Sequence, residues 1–133
     1  MAVMTRKLFT PAQANRTLPL VRRIVDDILL RGRELRRLAP RHADPDARAR
    51  LETLGGEIEE LIDELRHIGC DYKDFAFDKG LVDFPGAIGE RPVLLCWRSD
   101  EPRVEWYHAH EAGFAGRTRI PEELLVEEPA TRA

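Results

Sequence analysis

The stretch that decides the fold is LETLGGEIEELIDELRHI, residues 51–68. Its apolar residues recur at alternating steps of three and four positions, the heptad pattern of a helix that packs along a second helix. Gly69 follows at the place where a glycine often ends a helix. The pattern predicts a helix over about 46–68. Its apolar stripe consists of Leu51, Leu54, Ile58, Leu61, Leu65 and Ile68.

A second apolar stripe precedes the first and predicts a helix over about 18–38, followed by a proline-containing turn at 39–46. If the chain folds back at this turn, Leu38 meets Leu51 and Val21 meets Ile68. The sequence therefore predicts an antiparallel, coiled-coil-like helical hairpin over about 10–68. The stripe consists of Val21, Ile24, Ile28, Leu35 and Leu38, and Leu20, Val25, Leu29 and Ile62 widen the apolar surface.

Local signals mark the start and the middle of this hairpin. Thr10, Pro11 and Gln13 have the spacing of a capping box with proline at the first helical position. Thr17-Leu18-Pro19 is a second start signal, so we expect either a kink or a short helix followed by a long one. Gly32 and Gly55-Gly56 fall at the same height, where they either leave a slot for a ligand or allow close approach of the helices.

Beyond Gly69 the spacing becomes that of extended chain, which predicts three or four antiparallel strands over about 70–121 with one face against the helices. An acidic C-terminal segment, 122–133, begins with a short helix and is expected to fray. The fold class is α+β, and we expect one domain over 1–133 because the sheet half is small. The expected extended segments are 70–77, 81–84 closed by Pro85-Gly86, 92–98 and 103–108.

Composition excludes several protein classes. Hydrophobic residues make up 43% and charged residues 34%, which is typical of a globular chain, and the net charge of −3 gives no general attraction to nucleic acid or anionic membranes. Cys70 and Cys96 are too few for a disulfide framework, and neither a signal peptide nor a membrane span is present. We therefore expect a cytoplasmic protein with two reduced thiols.

An ordered set of motifs runs through the chain: Phe9-Thr10, Ala14-Asn15, Leu18-Pro19-Leu20, Gly80-Leu81-Val82-Asp83-Phe84-Pro85, Leu95-Cys96-Trp97, Trp106-Tyr107-His108 and Gly113-Phe114-Ala115-Gly116-Arg117. This set resembles the bacterial family catalogued as domain of unknown function 2203. The resemblance covers most of the chain and implies the same combination of helical hairpin and small sheet. It implies no activity. His108 belongs to the shared pattern, and His110 departs from it.

The first candidate site is a metal site of Cys96, His108 and His110. Histidines two positions apart on a strand project from the same face, and thiolate and imidazole both bind zinc. A zinc site needs three or four ligands at about 2.0–2.3 Å, so Asp83 or Glu111 would complete the set. The alternative is that His108 ends an apolar strand face and hydrogen-bonds a neighbour.

Strand register decides whether this site forms. If Arg98 pairs with Arg103, Cys96 and His108 lie on opposite faces of the sheet. A shift of one residue places them on the same face. Both registers remain open at the level of sequence.

The second candidate is a polar pocket of Asp83, His108 and Arg117. An aspartate, a histidine and an arginine together could bind an anion or transfer a proton. Arg117 lies in a glycine-flanked loop, where functional residues often occur. The structural alternative is that Arg117 pairs with Asp83 and fixes the loop to the sheet.

A third feature is a cluster of seven arginines at the predicted hairpin tip, which could contact a phosphate backbone. The second helix carries many acidic residues, so a salt-bridged surface explains the cluster equally well. No aromatic residue interleaves with the arginines, and nucleic-acid binding is not expected. The arginines are Arg31, Arg33, Arg36, Arg37, Arg41, Arg48 and Arg50.

No motif specifies a reaction, so the sequence leaves the function unknown and leans away from an enzyme. The leading hypothesis is a non-enzymatic interaction or assembly module that forms a homodimer through the hairpin, as in a four-helix arrangement. The alternative is a protein that binds a small molecule, an anion or a metal, or an enzyme, through Asp83, His108 and Arg117. No cofactor is predicted beyond zinc as the candidate metal.

Overall fold

The computed structural model describes residues 7–126, and it combines helices with an antiparallel sheet, so the α+β prediction is confirmed. Residues 127–133 of the predicted C-terminal segment lie outside the described residues. The helices are α1 (Pro11–Leu38), α2 (Pro45–Ile68) and α3 (Glu122–Leu125). The strands are β1 (Asp71–Tyr72), β2 (Leu81–Ile88), β3 (Arg91–Arg98), β4 (Trp106–His108) and β5 (Thr118–Arg119), and short 3₁₀ turns occupy Ala39–Arg41 and Phe114–Gly116.

Helix α1 begins with the predicted capping box. The backbone N–H of Gln13 donates to Thr10 Oγ1 at 3.1 Å, and the N–H of Thr10 donates to Gln13 Oε1 at 3.0 Å. The helix then continues through Pro19, so the expectation of a separate short helix is wrong. Asn15 stabilises the helical turns before Pro19 through two hydrogen bonds with the backbone of Val104. Its side-chain N–H donates to the Val104 carbonyl at 3.0 Å, and its Oδ1 atom accepts from the Val104 N–H at 2.7 Å.

Helices α1 and α2 run antiparallel around the turn at 39–44. Two ion pairs join them at successive heights, Arg50–Glu34 at 2.8 Å and Arg31–Glu57 at 3.0 Å. The αL conformation of Gly69, with φ of 116°, ends α2 as its position predicts. Among the residues that the structure describes, no helix is long and apolar enough to cross a membrane.

The three hairpin glycines have different surroundings. A Cβ on Gly32 would collide with the ring of Phe77, whereas a Cβ on Gly55 or Gly56 would meet nothing within 4 Å. Phe77 itself adopts φ of 57°, unusual for a residue with a side chain. Arg36 donates to the carbonyl of Ala76 at 3.0 Å and holds this loop on α1. The ring of Phe77 therefore packs directly against the backbone of Gly32.

The sheet has five strands in the order β1-β2-β3-β4-β5, with every pair antiparallel, so the expected count of three or four was too low. Strand β2 does not close at Pro85-Gly86 but runs on to Ile88. Strand β3 pairs with this extension as far as Ile88, and Phe9 bonds the opposite edge, where its N–H donates to the carbonyl of Pro85 at 2.8 Å. Pro85 has no N–H to offer on this edge of β2, so the edge can tolerate a proline. Gly86 is needed beside it, because a Cβ on Gly86 would lie only 2.5 Å from the carbonyl oxygen of Phe9.

One face of the sheet closes the hydrophobic core against the helices. Val82, Phe84, Val93, Leu95 and Trp97 alternate along β2 and β3 and are all fully buried. They belong to one cluster with α1 and α2 residues. The opposite face, here called the outer face, is covered in part by the segment 109–117.

Strand β4 pairs with β3 through Cys96↔Trp106 and Leu94↔His108. The register in which Arg98 pairs with Arg103 is therefore wrong, and the register shifted by one residue is the one that forms. The strand also begins at Trp106 rather than at 103, because the backbone of Val104 bonds to Asn15 instead of to β3. Cys96 and His108 consequently lie on the same face.

The contrast between the hairpin glycines predicts opposite effects of the same substitution. Gly32→Ala should destabilise the protein by about 1–2 kcal/mol, because the new methyl group must displace the Phe77 ring. Gly55→Ala, the matched control, should stabilise it by up to about 1 kcal/mol, since alanine favours a helix interior and nothing obstructs it. Urea unfolding of both variants measures the difference, and equal effects would contradict this packing.

Candidate metal centre

Three polar side chains meet on the outer face of the sheet. Asp83 on β2 is the direct cross-strand partner of Cys96 on β3, and His108 on β4 pairs with Leu94, two residues before Cys96. Cross-strand partners and residues two apart share a face, so the register brings the three side chains together. All three are buried, with exposed fractions of 5% for Asp83, 0% for Cys96 and 3% for His108.

The cluster has the dimensions of a metal site. One carboxylate oxygen of Asp83, the Sγ atom of Cys96 and one ring nitrogen of His108 lie within 4.8 Å of one another. The His108 Nε2 and Asp83 Oδ1 atoms are 3.3 Å apart. Two ligands at about 2.0–2.1 Å from a tetrahedral ion would be separated by about 3.3–3.4 Å. This is the spacing that a shared ion requires, and it is also hydrogen-bond distance, as expected if His108 simply bonds a neighbour.

The backbone fixes the orientation of the His108 ring. Its Nδ1 atom lies 2.8 Å from the carbonyl oxygen of Ala109, which can only accept a hydrogen bond, so Nδ1 carries a proton. In the neutral ring, Nε2 then presents a lone pair to the Asp83 carboxylate. Two acceptors this close need a proton or a cation between them. Histidine ligands of metals are commonly held in this way, by a hydrogen bond from the nitrogen that does not bind the ion.

Cys96 is not a free nucleophile in this setting. Burial, and after it the charge of the neighbouring Asp83, raise the pKa of its thiol to about 12, while Arg117 acts in the opposite direction. A thiol with this pKa is protonated near neutral pH. Coordination to a metal cation displaces such a proton and gives the thiolate.

Arg117 lies beside the cluster without pairing to Asp83. It forms its ion pair with Glu101 at 2.7 Å, in place of the Asp83 pairing that was the structural alternative, and it donates to the carbonyl of Cys96 at 3.3 Å. Its guanidinium stacks on the rings of Trp106 and Phe114, at 4.9 and 4.5 Å from their centroids. Arg117 thus binds the covering segment to the sheet, and no motif in the sequence indicated Glu101 as its partner.

His110 lies on the wall of a pocket of about 270 Å³ that opens onto the cluster. Among residues 7–126, the group with metal-binding geometry contains Asp83 where the sequence-based set had His110, and Glu111 lies outside it as well. His110 is exposed and follows the strand end, where a turn closes with the N–H of Ala112 donating to the carbonyl of Ala109 at 3.1 Å. The pocket wall also includes Lys73, Leu81, Leu94, Gly113 and Phe114, of which the sequence analysis had singled out none as a binding residue.

Most of the arginine cluster is engaged within the chain. Arg33 and Arg36 donate to backbone carbonyls of the loop that follows β1, and the others bind the helices or the turn between them. This arrangement favours the structural explanation of the cluster. The bonds are Arg31–Glu57, Arg33–Asp78 carbonyl, Arg36–Ala76 carbonyl, Arg41–Asp44, Arg48–His42 carbonyl and Arg50–Glu34.

Comparison with known proteins identifies a family but no activity. The profile of a family described as an uncharacterized conserved protein, DUF2203, matches residues 7–120. The chain belongs to this family, as its motifs indicated. Neither the curated proteins nor the solved structures contain a significant match. The function is therefore not established by any relative and must be inferred from the site.

The raised pKa of Cys96 predicts a loss of stability at alkaline pH in protein freed of metal with a chelator. Between the ordinary pKa of 9.0 and the value of about 12 in the fold, the unfolded chain loses the thiol proton and the folded chain keeps it. The free energy of unfolding should therefore fall as pH rises through this window, by up to about 1.4 kcal/mol per pH unit from this group.

Urea unfolding of wild type and Cys96→Ala from pH 8 to pH 11 tests this. The free energy of unfolding of the variant should fall less steeply with pH than that of wild type, whatever the absolute stability of the variant. Burial also raises the pKa of Tyr72, so part of the fall remains in both proteins. Parallel curves for the two proteins would show that Cys96 titrates normally.

Proposed function

We propose that this member of an uncharacterised conserved family is a metal-binding protein, and that Asp83, Cys96 and His108 bind one Zn²⁺ ion. The observation that carries the proposal is the meeting of the His108 Nε2 atom and the Asp83 carboxylate at 3.3 Å beside a buried thiol. A cation at this point would satisfy all three groups at once. This is the metal-binding form of the alternative function considered from sequence, with Asp83 in place of His110.

Charge balance supports a divalent ion. One carboxylate, one thiolate and one neutral imidazole neutralise a 2+ charge, so the bound site would bury no net charge. A mixture of sulfur, nitrogen and oxygen ligands suits zinc better than calcium or magnesium, which prefer oxygen alone. A thiolate ligand also requires reduced cysteine, and both cysteines are free thiols. We accordingly propose a reducing compartment such as the cytoplasm.

Three protein ligands leave a fourth position for water or another ligand. Zinc sites that take part in binding or catalysis usually have this pattern, whereas structural sites have four protein ligands. The pocket of about 270 Å³ gives access to that fourth position. We propose an open site, with His110 on its wall rather than on the metal.

The assembly hypothesis has weaker support. Three of the four residues that widen the apolar stripe are buried within the chain itself: Val25 at 0%, Leu29 at 5% and Ile62 at 7% exposed. Leu20, at 48% exposed, is the remaining one. A second subunit is thus not needed to cover this surface, and a homodimer through the hairpin stays a prediction.

Calorimetric titration of metal-free protein with Zn²⁺ tests the proposal. We expect one ion per chain, and at least a hundredfold weaker binding in Asp83→Asn, Cys96→Ser and His108→Gln, because a two-ligand site binds zinc poorly. His110→Gln is the matched control and should bind as wild type does. Loss of binding in this control would instead assign His110 as a fourth ligand.

A second measurement needs no variant. Co²⁺ bound in place of zinc should give the near-ultraviolet charge-transfer band of a cobalt–thiolate bond. Cobalt binding without this band would exclude Cys96 as a ligand, and no binding of either ion would refute the metal site.

A further inference from the structure

We infer that the fourth position of the metal site takes a small organic anion with an apolar body, whose acid group contacts Lys73. The inference rests on the proposed metal site and adds the class of ligand. It draws on residues of the pocket wall that have no part in holding the ion.

The size of the pocket limits the ligand. A volume of about 270 Å³ lies just below the range of about 300–1,000 Å³ that holds drug-sized molecules. The ligand therefore has few atoms beyond those that contact the metal. A polymer or a nucleotide would extend far outside this space.

The wall of the pocket combines apolar surface with one uncommitted cation. Leu81, Leu94 and Phe114 supply the apolar part. Lys73 lines the same pocket, is exposed, and forms no ion pair with another residue between 7 and 126. Lys79, by contrast, pairs with Asp100 at 3.8 Å and lines only an adjoining hollow, which shares Lys73, Leu81 and Phe114 with the pocket. A neutral metal site beside a free ammonium group favours an anion over a neutral or cationic ligand.

Phe114 is the side chain best placed to hold an apolar body. It remains 39% exposed, yet the guanidinium groups of Arg98 and Arg117 lie over its ring, at 5.6 and 4.5 Å from the centroid. Arg117 is in turn fixed by its ion pair with Glu101, with both side chains nearly buried. The ring is thus held in position at the pocket mouth without being covered, where it can pack against a ligand.

The visible spectrum of Co²⁺-loaded protein reports on the fourth position, because a ligand there changes the geometry around the ion. We would titrate this protein with sodium benzoate and with sodium acetate. Both should shift the spectrum, and benzoate should bind about tenfold more tightly, since its ring is removed from water by the apolar wall. Equal affinity for the two anions would overturn the apolar part of the inference.

Two pairs of variants separate the contributions. Lys73→Met should weaken both anions about fivefold, whereas Lys79→Met, the matched control, should leave them unchanged. Phe114→Ala should abolish the preference for benzoate and keep acetate binding. Equal affinities in the two lysine variants would overturn the role of Lys73.

The outcomes also distinguish this inference from the metal site beneath it. A cobalt spectrum that neither anion shifts overturns the inference and leaves the metal site standing. If neither Co²⁺ nor Zn²⁺ binds, the metal site is overturned, and the anion site with it.

Discussion

The register between β3 and β4 is the constraint on which the rest of the structure depends. With Cys96 opposite Trp106, the apolar residues of β3 face the helices and Cys96 faces outward with His108. A slip of one residue would place His108 on the core side of the sheet. Asn15 holds this register from outside the sheet, because it takes both backbone hydrogen bonds of Val104 and thereby delays the start of β4 until Trp106. A polar residue on the first helix thus bonds the chain just before β4, 89 positions later, and fixes where that strand begins.

The helical half was predictable because its signals are local. The capping box at Thr10, the end of α1 at Leu38 and the glycine cap at Gly69 each depend on residues within one turn, and the structure shows all three. Pro19 was misjudged for the opposite reason. A proline weakens a helix locally, but the hydrogen bonds of Asn15 and the burial of Leu18 hold the turns around it. Tertiary contacts that no window of sequence contains decide such cases.

The sheet half was predictable in kind but not in detail, because its partners are distant in sequence. Pro85-Gly86 resembles a turn, but it forms strand because β3 pairs with one edge and Phe9, far away along the chain, bonds the other. The cluster on the outer face was predicted only in part, for a related reason. Cys96 and His108 were predicted as metal ligands together with His110, and Asp83 was one of two residues that could complete the set, but the register that unites the three was open. Lys73 and Glu101 carried no signal of their own, and Phe114 was marked only as part of a family motif.

The outer face of a small sheet is ordinarily exposed to solvent, but in this protein another segment of the chain covers part of it. The segment 109–117 covers it, with Arg117 clamped between two aromatic rings, bound to Glu101, and bonded to the carbonyl of Cys96 itself. What this cover encloses is a carboxylate, a thiol and an imidazole, groups that cost free energy to bury and that apolar residues of similar size would replace with a gain in stability. The contact of His108 with Asp83 at 3.3 Å compensates part of this cost within the fold. The Zn²⁺ ion proposed above would offset the rest, because it would turn an electrostatic cost of the fold into a source of binding energy, and the same cover would then shape the pocket through which that ion meets its ligand.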